Sequence, residues 1–144
     1  MKLVDANILL YADDLTAEHH HASRSWLTSA LSSEELLLIP WISVMAYLRI
    51  STMPQLHQHP RSVPGALEFI RAVLDVPSVT SGEPDHRHLD RVAALLSATG
   101  RGGNLINDAH LGALALQYDA TVISYDNDFG RFPGVRWQRP AVGV

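Results

Sequence analysis

The chain has 144 residues, of which 47% are hydrophobic and 18% charged, and its formal net charge is -4. This length is typical of one domain with a substantial core, and the apolar content excludes a disordered chain. The absence of cysteine excludes disulfides and thiolate metal sites, and the negative charge argues against a surface that attracts nucleic acid by an excess of Lys and Arg.

Acidic residues interrupt the N-terminal segment early, at Asp5, Asp13 and Asp14. Neither a signal peptide nor a membrane span tolerates such charges in its apolar stretch. We therefore expect a cytoplasmic location and no membrane partner. The length of the chain predicts one domain over residues 1–144.

The first strand is predicted to carry a candidate functional residue at its end. Residues 2–7 indicate a short buried strand that passes into a helix. Asp5 would then lie at the carboxyl end of the strand, which is the edge where open parallel sheets bind ligands. An N-cap role explains Asp5 equally well. Asn7 is placed to hydrogen-bond Asp5 or to cap the same helix.

Residues 18–32 predict an amphipathic helix whose first turn carries His19, His20 and His21. Three consecutive histidines cannot share one helix face, so a solvated turn is favoured over a metal site. Residues 36–40 predict a second buried strand.

Residues 41–51 predict the helix that follows this strand. Prolines in residues 53–64 exclude a helix or central strand there, so we expect a loop with His57 and His59 as ordinary surface residues.

The second half of the chain continues the alternation of helices and strands. Residues 65–75 predict a helix and residues 76–80 a weak strand. The next helix should open near Pro84 and bury Leu89, Val92, Ala93 and Leu96. It ends at a glycine-rich turn over residues 99–103.

Asp108 lies near the start of a strongly apolar helical segment, residues 104–115. A carboxylate removed from water costs several kcal/mol unless it is paired or bound to a cation. Residues 121–124 then predict a strand that delivers Asp126 and Asp128 at its end, although the Asp-Asn-Asp sequence also suits a simple turn. Residues 135–137 predict the last strand.

This alternation predicts an α/β fold with a mostly parallel sheet covered on both faces. The carboxyl ends of neighbouring parallel strands converge, so Asp5, Asp108, Asp126 and Asp128 are expected to meet there. Clustered carboxylates repel each other unless a cation neutralises them, and oxygen ligands favour Mg²⁺ or Mn²⁺ over zinc. Such a site suits phosphodiester hydrolysis. Helix capping and turn formation explain each aspartate singly.

Several segments form a pattern when they are taken in order: Val4-Asp-Ala-Asn-Ile-Leu-Leu-Tyr11, Pro40-Trp41 through Tyr47-Leu-Arg49, Arg101-Gly-Gly-Asn-Leu-Ile-Asn-Asp-Ala-His-Leu111, Ser124-Tyr-Asp-Asn-Asp-Phe129 and Arg131-Phe-Pro-Gly-Val-Arg-Trp137. Together these segments resemble the PIN-domain ribonucleases, in particular the VapC toxins of bacterial toxin-antitoxin pairs.

The resemblance implies a three-layer α/β/α fold and a ribonuclease that uses one or two Mg²⁺ or Mn²⁺ ions. It also implies a homodimer, a VapB-type antitoxin as partner and a heterotetramer or larger complex with it. The metal-binding acids would be Asp5, Asp108 and Asp126, with Asp128 as a further ligand, while Asn7 and Ser124 would support them. Asn107 stands where the family usually has threonine.

One position departs strongly from the family pattern. The family carries a glutamate before the aromatic-Leu-Arg sequence, and this chain has Ala46 before Tyr47. Loss of a carboxylate should weaken metal binding and cleavage. The alanine is either an engineered substitution in a toxic nuclease or a natural feature of a non-catalytic member that binds antitoxin or RNA. A third possible function is that of a receiver-like or phosphatase domain built on a related sheet. The sequence lacks the phosphoacceptor motifs that such a domain should contain.

Basic side chains are expected in two places, on this chain where it contacts RNA and on the antitoxin where it contacts the acidic pocket. Arg49, Arg101 and Arg131 are candidates for RNA contact around the rim, and Arg49 could instead pair with an acid of the core. A basic side chain of the antitoxin, most simply an arginine, would block the acidic pocket.

Overall fold

The computed structural model describes residues 1–141 and contains short strands alternating with helices. The strands are β1 (Lys2–Val4), β2 (Leu37–Leu38), β3 (Val79–Thr80), β4 (Thr121–Ile123) and β5 (Arg136–Gln138). The helices are α1 (Ala6–Asp13), α2 (His20–Ser32), α3 (Trp41–Thr52), α4 (Val63–Leu74), α5 (His88–Thr99) and α6 (Leu105–Tyr118), with a 3₁₀ helix over Asn127–Arg131. Within the described range, no helix combines the length and apolar character needed to cross a lipid bilayer.

All strands belong to one sheet in the order β3-β2-β1-β4-β5, and every neighbouring pair is parallel. The central strand β1 pairs with β2 on one side and with β4 on the other. The strand order reverses direction at β1, and the carboxyl ends of β1 and β4 are therefore adjacent. In doubly wound sheets this crevice is the usual ligand site.

Alternation along the strands divides the core into two halves. Val4 and Ile123 pack with α1, α2, α3 and α4 on one face, whereas Leu3 and Val122 pack with α5, α6 and the 3₁₀ helix on the other. Successive strand residues point to opposite faces, so an uninterrupted apolar strand needs cover on both sides. The predicted three-layer α/β/α fold with a parallel sheet is confirmed.

The predicted inner face of α5 is wrong at two positions. Leu89 is 77% exposed and Ala93 is also exposed, while Leu95 is buried. The helix begins at His88, whose Nε2 lies 2.7 Å from Nδ1 of His110 on α6. Val92 and Leu96 pack against the core as predicted, whereas His88 and Leu95 take the inner positions that the prediction gave to Leu89 and Ala93.

Candidate metal centre

Asp5 and Ser124 meet where β1 and β4 end side by side. Asp5 follows β1 and caps α1, since its Oδ1 accepts a hydrogen bond from the backbone N–H of Ala6 at 2.7 Å. The hydroxyl of Ser124, which is fully buried, donates to Asp5 Oδ2 at 2.6 Å. The N-cap role and a place in the site are therefore compatible, because they use different oxygens of one carboxylate.

Asn7 connects this pair to the loop after β4. Its Nδ2 donates to Asp5 Oδ2 at 3.3 Å and to Ser124 Oγ at 3.0 Å, and its Oδ1 accepts from the backbone N–H of Tyr125 at 3.3 Å. Ser124 Oγ in turn accepts from the backbone N–H of Asp126 at 2.9 Å. The network fixes the Asp5 carboxylate and the start of the acidic loop in one arrangement.

Three further carboxylates form a tight group beside Asp5. Asp108, Asp126 and Asp128 each offer an oxygen, and these atoms lie within 4.8 Å of one another. Asp108 lies in the first turn of α6, and Asp126 caps the 3₁₀ helix by accepting from the backbone N–H of Asp128 at 2.9 Å. Asp5 lies outside this group but lines the same cleft as Asp108 and Asp126.

The neighbouring carboxylates repel one another, as is typical of a site that binds a cation. Burial, and then the nearby Asp126, Asp5 and Asp128 carboxylates, raise the pKa of Asp108 to about 8. Burial also raises the pKa of Asp5, although its hydrogen bond from Ser124 opposes the shift. A divalent cation would relieve this mutual repulsion, and the oxygen-only donor set fits a hard ion. The residues present therefore fit Mg²⁺ or Mn²⁺ chemically.

The cleft over these acids has a volume of about 320 Å³ and is closed on one side by α3. Ala46 and Arg49 both line it from that helix, together with Asn104 and Asn107 from the start of α6. The methyl group of Ala46 thus faces the space that a longer acidic side chain would fill. Arg49 is exposed, and its place in the lining puts a positive charge within the acidic cleft.

The other two arginine candidates differ in position. Arg131 Nε lies 3.3 Å from Asp128 Oδ1, so its charge is already directed at the acidic group. Arg101 is exposed in the loop before α6 and is not part of the cleft lining that the structure describes.

Arg139 is a basic residue near the centre that the sequence reasoning missed. Its Nη2 donates to Asn127 Oδ1 at 3.3 Å, and its guanidinium lies over the Tyr125 ring, 5.6 Å from the centroid. The signal was present in the sequence, because Arg139 directly follows the last strand and hence belongs to the same sheet edge as Asp5.

Three histidines make more contacts with the rest of the protein than the predicted solvated turn and surface loop imply. His19 stacks on Tyr125 with the ring centroids 4.1 Å apart, and His20 Nδ1 lies 2.8 Å from the carbonyl oxygen of Tyr11. His57 has a side chain only 12% exposed, with Nε2 3.4 Å from Asp14 Oδ2, so the expectation of an ordinary surface residue was wrong. Among residues 1–141, the acidic metal-ligand group contains no histidine.

Comparison with known proteins places this geometry in a family. Residues 2–135 match the PIN domain family. The chain is 44% identical to Ribonuclease VapC37 of Mycobacterium tuberculosis over 140 residues, which covers 97% of both chains. It is 32% identical to Ribonuclease VapC25 of the same species over 142 residues, covering 99% of this chain and 100% of the relative.

Solved structures give the same fold at low sequence identity. VapBC2 from Rickettsia felis, bound to a DNA fragment from its promoter, superposes with a TM-score of 0.66 at 15% identity, covering 96% of this chain and 97% of that one. VapBC-1 from nontypeable Haemophilus influenzae gives a TM-score of 0.66 at 18% identity and covers 96% of both chains. From the family match and the full-length identity to VapC proteins, the chain belongs to the PIN domain family and, within it, to the VapC proteins.

Proposed function

We propose that this chain is the ribonuclease toxin of a toxin-antitoxin pair and that it cleaves RNA by metal-assisted phosphodiester hydrolysis. The observation that carries the proposal is the tight group of Asp108, Asp126 and Asp128, two of which line an open cleft together with Asp5. Relatives that align along nearly the full chain are named ribonucleases, which supports the ribonuclease assignment.

The proposed cofactor is one or two Mg²⁺ or Mn²⁺ ions held by Asp5, Asp108, Asp126 and Asp128. Such an ion supplies Lewis-acid polarisation of a phosphate and a lowered pKa for bound water. Ser124 and Asn7 hold the Asp5 carboxylate in one orientation, which reduces the reorganisation needed when a substrate binds.

Cationic side chains around the acidic cleft would bind the phosphates of the RNA. Arg49 reaches into the cleft, where its charge would meet a phosphate. Arg131, which pairs with Asp128, would also contact a phosphate oxygen of the RNA. Arg101 is not among the described residues that line the cleft and is proposed to contact RNA outside it.

We further propose that Ala46 makes this chain a weak nuclease. The resemblance places a glutamate here, and Ala46 lines the cleft together with Asp5, Asp108 and Asp126. A missing carboxylate removes a ligand or a water-positioning group. The same observation favours a second candidate function, in which the chain keeps the fold and binds antitoxin or RNA without cutting.

Restoring the acid separates the two functions. We expect Ala46→Glu to raise Mg²⁺- or Mn²⁺-dependent cleavage of single-stranded RNA by about tenfold or more, because removing a group that orients a metal ligand typically costs about 10- to 100-fold in activity. Initial cleavage rates of a labelled RNA pool measure this effect.

Ala46→Gln is the matched control, since it adds the same volume without the charge, and it should give no gain. A double variant with Ala46→Glu and Asp108→Asn should also stay inactive. If Ala46→Glu cleaves no faster than the unaltered chain at any metal concentration, the non-catalytic function is the correct one.

For partners, we propose a VapB-type antitoxin that places a basic side chain in the acidic cleft, and a homodimer that assembles with it into a heterotetramer or larger complex. The structural neighbours are described as VapBC assemblies, which supports the antitoxin. Bidentate pairing with carboxylates makes arginine suited to this role. We place the protein in the cytoplasm, where an RNA substrate is accessible.

A further inference from the structure

A column of aromatic rings stands beside the acidic centre. Tyr125 is stacked on His19 with the centroids 4.1 Å apart and the planes inclined by 11°. Tyr11 meets the edge of Tyr125 with the centroids 5.5 Å apart. Tyr125 immediately precedes Asp126, so the column is joined to the carboxylate group by a single peptide bond.

Arg139 extends this column towards solvent. Its guanidinium lies over the Tyr125 ring at 5.6 Å, and Nη2 is held by Asn127 Oδ1 at 3.3 Å. Asn127 lies between the two acids Asp126 and Asp128 in the sequence, so the hydrogen bond ties the guanidinium to the acidic loop itself.

Among the described residues, Arg139 is one of several arginines without a carboxylate partner, and in this it differs from its two nearest arginines in the sequence. Arg131 and Arg136 pair with carboxylates at 3.3 and 3.0 Å. Among residues 1–141, Arg139 contacts no carboxylate within ion-pair distance and is instead positioned by an amide and an aromatic ring. Its side chain is exposed, so packing of the core does not account for this arrangement.

This combination has the chemistry of a base-binding surface. Unpaired bases of single-stranded RNA stack on aromatic side chains and on guanidinium planes, and such contacts depend little on which base is bound. Packing between His19 and Tyr125 explains how the start of α2 attaches to the sheet edge. It does not explain the exposed guanidinium at the end of the column.

We propose that Arg139, supported by Tyr125 and His19, forms a stacking subsite for one unpaired RNA base next to the phosphate at the acidic centre. The subsite deepens the proposed function, on which it rests, by adding a requirement for an unpaired nucleotide beside the cleavage position. Arg139 provides the outer surface of the subsite, Tyr125 and Asn127 position its guanidinium, and His19 supports the Tyr125 ring.

The first test compares substitutions of Arg139 in the full chain. Binding of a fluorescein-labelled, mixed-sequence, single-stranded RNA of about ten nucleotides is measured by anisotropy with Mg²⁺ present. Arg139→Ala should weaken binding by about five- to 50-fold. Arg139→Lys should weaken it nearly as much, because lysine keeps the charge and loses the planar surface.

Arg136→Ala is the matched control. It removes the same side chain three residues earlier, at the opposite end of β5, where Arg136 pairs with Asp119. We expect less than a twofold change in binding for this variant and unchanged melting temperatures for both Arg139 variants. Full affinity in Arg139→Lys would overturn the stacking subsite in favour of a simple phosphate contact.

A second measurement identifies the base itself. A series of the same RNA, each with one abasic nucleotide, should show one position at which removal of the base weakens binding to the unaltered chain. In Arg139→Ala this penalty should disappear, as in a double-mutant cycle. If the penalty persists unchanged, the subsite is refuted while the ribonuclease proposal stands. If the unaltered chain binds no RNA of the series, both proposals fail.

Discussion

At the scale of single residues, the pKa of Asp108 depends on every other acid of the site. Its carboxyl lies half-buried in the first turn of an apolar helix and faces Asp126 and Asp128. In the absence of a cation, these neighbours favour its protonated form and raise its pKa to about 8. A side chain in this position opposes folding at neutral pH unless a cation binds, which is the physical reason to regard it as functional.

The first prediction concerns the pH dependence of the metal-free protein. The folded-state pKa of Asp108 is about 8, well above the ordinary value of 3.8, so the folded state binds more protons than the unfolded state across this interval. The contribution of Asp108 to stability is therefore complete at low pH and is lost as the pH rises towards 8.

Asp108→Asn removes this titration. In the presence of EDTA, we expect the variant to melt a few degrees above the unaltered chain at pH 8 and the difference to shrink at pH 5. The comparison isolates Asp108 from His88 and His110, whose lowered pKa values make stability rise with pH in both proteins. A difference that is independent of pH would contradict the prediction. Added Mn²⁺ should raise the melting temperature of the unaltered chain only.

At the scale of elements, α3 depends on a polar contact as well as on the core. The fully buried Tyr47 ring packs between the sheet and α4, and its hydroxyl donates to Asp13 Oδ2 at 2.7 Å at the end of α1. Arg61 forms a two-pronged contact with the same carboxylate, with both N–O distances 2.8 Å. The three residues join α1, α3 and the loop before α4, and thereby fix the helix that carries Ala46 and Arg49.

The second prediction tests this junction. Burial and the Asp13 carboxylate raise the pKa of the Tyr47 hydroxyl above its usual range, so the group stays protonated and donates. Tyr47→Phe should lower the free energy of unfolding by about 1–2 kcal/mol, because Asp13, whose side chain is only 7% exposed, loses a hydrogen bond. Urea unfolding monitored by circular dichroism measures the loss.

Tyr118→Phe is the control for this variant. The Tyr118 hydroxyl donates to the carbonyl oxygen of Glu83 at 2.7 Å at the surface, where water replaces it at little cost. We expect a change below about 0.5 kcal/mol. Equal losses in the two variants would show that the Tyr47 contact has no special role in holding α3.

At the scale of the whole molecule, α3 also presents an apolar surface. Trp41 and Met45 are 54% and 52% exposed and lie one turn apart on the helix. Trp41 also lines a small cleft together with Pro84 and His110. Exposed aromatic and methionine side chains are typical of interface centres, which supports the proposed homodimer through this part of the surface.

The third prediction is that Trp41→Glu or Met45→Glu converts the proposed homodimer to a monomer. A buried, unpaired carboxylate at the centre of an interface would cost several kcal/mol. Size-exclusion chromatography with light scattering gives the mass directly. Leu15→Glu, at a residue 83% exposed in the loop between α1 and α2, should leave the dimer intact. A dimer that survives both α3 substitutions would place the interface elsewhere.

The organisation as one domain over residues 1–144 stays a prediction, and residues 142–144 lie outside the described range. The membership of all five strands in one sheet supports it. Resistance of the chain to limited proteolysis would be the corresponding measurement, because cleavage concentrates in exposed linkers between domains.

Apolar periodicity predicted the layered fold, and the places where strands end predicted acidic residues at one edge of the sheet; the metal-binding role of Asp5, Asp108, Asp126 and Asp128 stays a prediction. Both depend on local rules, since a strand covered on both faces must be apolar throughout and must end in polar residues. The approach of Asp5 to Asp126 follows from the pairing of β1 with β4, which the sequence contains only indirectly, and Asp108 joins Asp126 and Asp128 from the first turn of α6.

Contacts between elements were decided by the tertiary structure. The apolar pattern of α5 predicted that Leu89 faces the core, whereas in the structure His88 faces α6 and contacts His110. Arg139 and His19 lie 120 residues apart and meet over Tyr125 only because β5 and the start of α2 approach the same sheet edge. Periodicity specifies which face of an element is apolar, whereas the partner of that face and the rotation of a helix upon it depend on side chains distant in sequence.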